Sequence, residues 1–408
     1  VSDAHRAAEL AARASYGRLL AYLASRARDV AAAEDALGDA FAAALETWPR
    51  VGVPDNPDAW LLVAARRRLV DRARHTGVEA TAAATLRLAA ETADVNASRE
   101  SIFPDERLAL LFVCAHPAID EAARTPLMLQ AVLGLDAARI ASAFLVAPAT
   151  MSQRLVRVKT KIRDAGIGFQ IPGPEELPER LDSVLDAIYA AYGTGWEDVA
   201  GADPRRRGLA EEAIWLGRLV VALMPDEPEA GGLLALMLHC EARRPARRDA
   251  SGAYVPLSGQ DVGLWSRPTI DEAERTLADA SRVRRPGRFQ LEAAIQSVHA
   301  QRAVTGGTDW EAIALLYEGL VRVAPTIGAR VAHAAALAEA RGAGAGLAAL
   351  DAMPMDVVTA YQPYWALRAH LLQAFGRVDE ARDAYARAIG LSEDPAVREF
   401  LADQTRAT

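Results

Sequence analysis

The sequence predicts an all-α protein, and three observations carry that reading. Alanine, leucine, arginine and glutamate dominate the chain, and all favour helices. Apolar residues recur at helical spacing, as at Leu19, Leu20, Leu23, Ala27 and Val30. Alternating β-branched or aromatic runs are nearly absent, with Gly252–Leu257 the one stretch resembling a short strand.

Residues 1–76 read as a compact helical unit. Within it, AEDALGDAF (Ala33–Phe41) forms a helix carrying three acids and an aromatic side chain. Trp48–Pro57 reads as a loop, because proline and glycine punctuate it. A second helix starts at Pro57, with Asn56 placed to cap it, and turns Trp60, Val63, Val70 and Ala73 towards a core. Residues 77–103 are poor in large apolar groups and read as a linker. Residues 104–165 form a second small unit ending in a helix-turn-helix: Asp136–Phe144, a turn at Leu145–Ala147, and a helix from Pro148, a residue suited to a first helical position. In that last helix Met151, Leu155, Val158 and Ile162 make an apolar stripe, opposite Thr150, Gln153, Arg154, Arg157 and Lys161. Residues 166–178 (GIGFQIPGPEELP) carry three prolines and three glycines and end the unit.

Residues 179–408 read as a helical-hairpin array. Gly307, Gly342 and Gly376 recur at intervals of 35 and 34. Around the last of them, small Ala369, Ala381 and Ala388 and aromatic Tyr385 suit tetratricopeptide-like packing, in which small residues let paired helices approach.

Charge narrows the function. The net charge of −8 excludes a protein that coats nucleic acid over its whole surface. Two basic islands stand out against it. Arg139 to Arg163 holds six cations and no acid, and Trp60 to His75 holds five arginines against Asp71. A helix with a buried stripe, polar side chains near its start and cations beyond suits the major groove. A solvated face of salt-bridged arginines is the plainer alternative at both islands. The two cysteines make no disulfide framework and point to the cytoplasm. No apolar run is long enough for a membrane span, and Asp3, Arg6, Glu9 and Arg13 lead to the expectation of no signal peptide in these residues. The seven histidines show no metal spacing, no phosphate-binding glycine motif occurs, and His239–Cys240 reads as a buried helix pair. The chain is therefore expected to be no enzyme, with no catalytic residues, metal or cofactor.

These motifs resemble a bacterial RNA polymerase sigma factor of the extracytoplasmic-function (ECF) type, in the subgroup with a C-terminal tetratricopeptide-like extension. AEDALGDAF is similar to the region that docks on the β′ clamp helices. NPDAWLLVAARRRLVDRAR (Asn56–Arg74) is similar to the −10 helix, and ARIASAFLVAPATMSQRLVRVKTKI (Ala138–Ile162) to the helix-turn-helix that reads the −35 element. FVCAHPAIDEAARTPLML (Phe112–Leu129) resembles the preceding helices of the extended subgroup. The resemblance implies core polymerase contacts at Glu34, Asp35, Asp39 and Phe41. It implies −10 contacts at Asn56, Trp60, Arg66, Arg67, Arg68 and Arg74, and −35 contacts at Thr150, Ser152, Gln153, Arg154, Arg157 and Lys161. The loop Arg50–Asn56 lies where the family captures a flipped base. The implied partners are core RNA polymerase, through the β′ clamp helices and β flap, promoter DNA, and a protein or peptide ligand of the array. Gly38 departs from the family, standing where a glutamine usually contacts polymerase. Two other readings stay open: a helix-turn-helix regulator with a tetratricopeptide-like sensor, and a pure tetratricopeptide adaptor. The first leaves the acidic helix without a purpose, and the second leaves Arg139–Arg163 without one.

Overall fold

The structure is a computed structural model and describes residues 3–27, 29–76, 103–144, 146–164, 171–197, 208–392 and 394–406. Residues 77–102 of the first expected linker and 166–170 of the second lie outside these residues. Among them the chain is all-α, with one isolated bridge, Arg248 to Tyr254, in place of a strand. Two compact units form: the first spans residues 1–198 and 203–223, the second 199–202 and 224–408.

The first unit opens with α1 (Asp3–Ala27), α2 (Val30–Val51) and α3 (Pro57–Thr76), packed on one another. Asp29 caps α2 through the Ala32 N–H. α2 outruns the sequence reading, since Pro49 sits inside its last turn. Buried Trp48 anchors that turn, and Gly52, at a φ of 94°, closes it by donating to the Trp48 carbonyl. The core stripe of α3 is Leu61, Ala65 and Leu69, whereas Val63 is exposed. The expected stripe through Trp60, Val63, Val70 and Ala73 is thus not the buried one: Trp60, edge-on to Trp48, and Val70 are half-buried, and the Ala73 side chain lies outside what is described.

α4 (Glu106–Cys114) is the pivot of the unit, buried from Leu108 to Cys114. It packs on α1, on α5 (Glu121–Ala131), on α8 (Leu177–Glu197) and on α9 (Leu209–Leu223). Gly17 of α1 lies where a Cβ would stand 1.8 Å from the Val132 carbonyl oxygen, so only glycine permits this approach. α6 (Ala137–Ala143) and α7 (Pro148–Asp164) complete the helix-turn-helix, with Asp136 capping α6 through the Arg139 N–H. The compact unit runs past the boundary expected at 178. Arg180, at the start of α8, is buried and donates to the Phe112 carbonyl at 3.2 Å and to Glu176 at 2.5 Å. Arg107 bonds Asp105 and Glu212 and lies 4.3 Å from the Trp215 ring centroid, tying α4 to α9.

The second unit runs through α10 (Pro228–Ala242), α11 (Arg267–Ser281), α12 (Arg288–Thr305), α13 (Trp310–Val323), α14 (Ile327–Arg341) and α15 (Ala343–Asp351). It ends with α16 (Met355–Val358), α17 (Gln362–Ala374), α18 (Val378–Leu391) and α19 (Pro395–Arg406). Gly342 and Gly376 turn the chain between helices at positive φ, and Gly306 does so in place of the expected Gly307. Ala369, Ala381 and Ala388 are fully buried where α17 meets α18, and buried Tyr385 donates to the Gln373 side chain at 3.0 Å.

Candidate functional site

Three surfaces gather the side chains singled out in the sequence. The first is an acidic face on α2. Glu34, Asp35, Gly38 and Asp39 line an open hollow of about 700 Å³, bounded by Tyr16 and by Arg68, Asp71 and Arg72 of α3. A Cβ on Gly38 would meet nothing within 4 Å, so the hollow is open at that point. The Tyr16 hydroxyl is pushed up, first by burial and then by Glu34 and Asp35. Asp35 pairs with Arg72 at 2.8 Å. Phe41 is half-buried and stacks on Tyr16, with centroids 6.3 Å apart, so it supports the face from within.

Glu34 holds an unexpected partner. Its carboxylate accepts from the Lys159 ammonium at 2.5 Å, 125 residues away on α7. The two side chains are only 21% and 25% exposed. The pair stands close to Cys114, whose thiol burial pushes up to about 12, with Glu34 adding to the rise and Lys159 opposing it. Sequence reasoning counted Lys159 only among the six cations from Arg139 to Arg163, and no local spacing marks a pair so far apart in the chain.

The second surface is α3. Asn56 caps it, accepting from the Ala59 N–H at 3.0 Å. Trp60 is half-buried, its ring edge-on to Trp48 with centroids 5.5 Å apart. Arg66 is half-buried and Arg67 and Arg68 are exposed. Asp58 receives Ser15 at 2.5 Å and Arg18 at 2.6 Å, fixing the start of α3 against α1. The Arg74 side chain lies outside what is described.

The third surface is α7. Met151, Leu155 and Val158 are buried, which spends the apolar stripe on the core. Thr150, Ser152, Gln153, Arg157 and Lys161 are exposed on the other side. Arg157 donates to the Gln153 side chain at 3.3 Å, holding the two together. Arg154 departs from this group: it is half-buried and reaches back to the Ala122 carbonyl at 3.4 Å.

In the second unit the arginines of the 243–248 segment are engaged internally. Arg243 bonds the Gln296 side chain at 2.5 Å, Arg244 bonds Glu241, and Arg248 bonds Asp394. His239 is 1% exposed and its pKa is lowered to about 4, by burial first and by Arg243 second. Among the described residues no cluster of three or more His, Cys, Asp or Glu side chains is arranged to hold a metal ion. None of the described helices is long and apolar enough to cross a membrane.

Residues 12–78 match the model of sigma-70 region 2. Residues 180–281 match a family of unknown function (DUF6596), which spans α8 and α9 of the first unit and α10 and α11 of the second. An uncharacterized protein of Rhizobium meliloti (strain 1021) is 38% identical over 394 residues, covering 94% of this chain and 91% of that one.

Proposed function

We propose, from the premise that this chain belongs to the sigma-70 family and, along nearly its whole length, to one family with the Rhizobium meliloti protein, that it is an ECF-type initiation factor. As a sigma factor it binds core RNA polymerase and recognises promoters, and it is no enzyme. In the finer reading, residues 1–76 dock on the β′ clamp helices through Glu34, Asp35 and Asp39, with Phe41 backing them. Arg66, Arg67, Arg68 and Arg74 hold promoter strands near the −10 element, from a helix positioned by Asn56 and Trp60. Residues 104–165 meet the β flap and read the −35 element through Thr150, Ser152, Gln153 and Arg157, while Lys161 holds phosphate and Arg154 braces α7 on α5. Residues 179–408 form a tetratricopeptide-like domain, open to a protein or peptide ligand, that regulates or supports the sigma module in the cytoplasm.

The observation that carries this reading is the division of labour on α7. Met151, Leu155 and Val158 are buried and Ile162 half-buried, leaving an outer face that from Thr150 to Lys161 carries hydrogen-bonding and cationic groups, no acid and the single exposed apolar side chain of Val156. Such a face supplies base-edge contacts from its first turns and phosphate contacts beyond them. The acidic hollow on α2 complements a basic docking surface, which favours oriented encounter. The test is competition for core polymerase by the full chain and by a variant with Glu34, Asp35 and Asp39 replaced by alanine. The variant should compete at least tenfold less well. Equal competition would remove the α2 face from the interface and favour a helix-turn-helix regulator that acts without replacing the specificity subunit.

A further inference from the structure

We propose that Val156 contacts the C5-methyl group of a thymine in the −35 element, making it a specificity-determining residue on α7. The inference rests on reading α7 as the −35 helix. Val156 is 64% exposed on a helix whose buried positions are already filled by Met151, Leu155 and Val158. It lies on the opposite side, with Ser152 and Gln153 one turn before it and Thr160 one turn after. Arg157, held to Gln153 at 3.3 Å, stands beside it.

A valine that is 64% exposed gains little from the fold, and its β-branch restricts rotamers in a helix. Single exposed apolar side chains are ordinary at a protein surface. This one sits on the face that would enter the groove, beside groups that donate and accept hydrogen bonds. Such neighbours make it a poor hydrophobic docking patch for another protein. It does match the major-groove edge of an A·T pair, where thymine presents a methyl group next to a carbonyl acceptor. Gln153 and Arg157 can then satisfy the acceptors and donors of adjacent pairs while Val156 covers the methyl. Removing a methyl-sized contact weakens binding by roughly threefold to fourfold.

The experiment uses the full chain assembled with core polymerase. A promoter library randomised across the upstream element first identifies the preferred −35 sequence. Each thymine in that sequence is then replaced by deoxyuridine, which removes the methyl and leaves base pairing intact. At one position the wild-type holoenzyme should lose about threefold to fourfold in affinity. Val156→Ala, a change at an exposed site to a better helix former, should bind the thymine promoter with that same loss and be indifferent to uracil there. Lys161→Ala, which removes an exposed cation assigned to phosphate, serves as the control for the underlying reading and should weaken every sequence. If Lys161→Ala has no effect, the assignment of α7 to DNA falls and Val156 falls with it. If Lys161→Ala weakens binding but uracil is tolerated at every position, or costs wild type and Val156→Ala equally, the Val156 proposal alone is overturned.

Discussion

Replacing Lys159 by methionine separates two roles that the structure gives to Glu34. The change removes the ammonium that Glu34 accepts from at 2.5 Å and keeps a stem of similar length. Exposed ion pairs contribute about 0.2–1 kcal/mol, whereas breaking a fully buried one costs about 3–5 kcal/mol. A pair whose members are 21% and 25% exposed lies between, so the coupling should be about 1–2 kcal/mol. A double-mutant cycle of Lys159→Met with Glu34→Gln, read by urea unfolding, isolates that term. The second consequence follows from exclusivity. If Glu34 must leave Lys159 to meet a cation of polymerase, Lys159→Met abolishes that cost, and core binding should tighten by about 5- to 30-fold. Fluorescence titration with core polymerase measures it. Coupling near zero would show that the pair does not hold in solution. Full coupling with unchanged core affinity would show that Glu34 stays on Lys159 in the complex and takes no part in docking.

Further predictions concern glycine, domain edges and pH. Gly38→Ala, at an open helical position, should stabilise the first unit by up to about 1 kcal/mol in thermal unfolding. Gly17→Ala should destabilise it by about 1–3 kcal/mol despite the better helix propensity, because its Cβ would strike the Val132 carbonyl. Truncation after Leu223 should leave a cooperative unfolding transition for the first unit. Truncation after 178 strips buried Leu181, Val184, Leu185 and Ile188 and should broaden or abolish it, as circular dichroism would show. Below pH 6.5, stability of the second unit should fall. His239 and His299, held neutral at pKa values lowered to about 4, bind protons more readily once unfolded, so each removes up to about 1.4 kcal/mol per pH unit between roughly 6.5 and 4. His239→Gln should flatten a plot of urea midpoint against pH, and an unchanged slope would dismiss the histidine as its source.

The elements were legible where local chemistry decides them. Asn56 and Pro57 mark the start of α3, Pro148 the start of α7, and the Met151, Leu155 and Val158 stripe the buried side of α7. The end of α2 misled because proline usually breaks a helix, whereas here buried Trp48 holds the last turn and the Gly52 N–H closes it on the Trp48 carbonyl, although Pro49 donates no i→i−4 bond. What escaped is long-range. Lys159 finds Glu34, Arg107 finds Glu212, and Arg180 finds the Phe112 carbonyl across 125, 105 and 68 residues. Such contacts leave no periodicity, so the sequence displays the acids and cations without showing which of them already have partners. The same blindness set the expected boundary at 178, since α8 and α9 look like any other amphipathic pair until α4 is seen between them and α1.

Run-off transcription from a promoter selected with the full chain tests the proposed role most directly, comparing core polymerase alone, core with the chain, and core with the Glu34, Asp35 and Asp39 alanine variant. A transcript of defined start should appear only with the wild-type chain and fall at least tenfold with the variant. A chain that binds the selected DNA unaided and leaves initiation by core polymerase unchanged would contradict it.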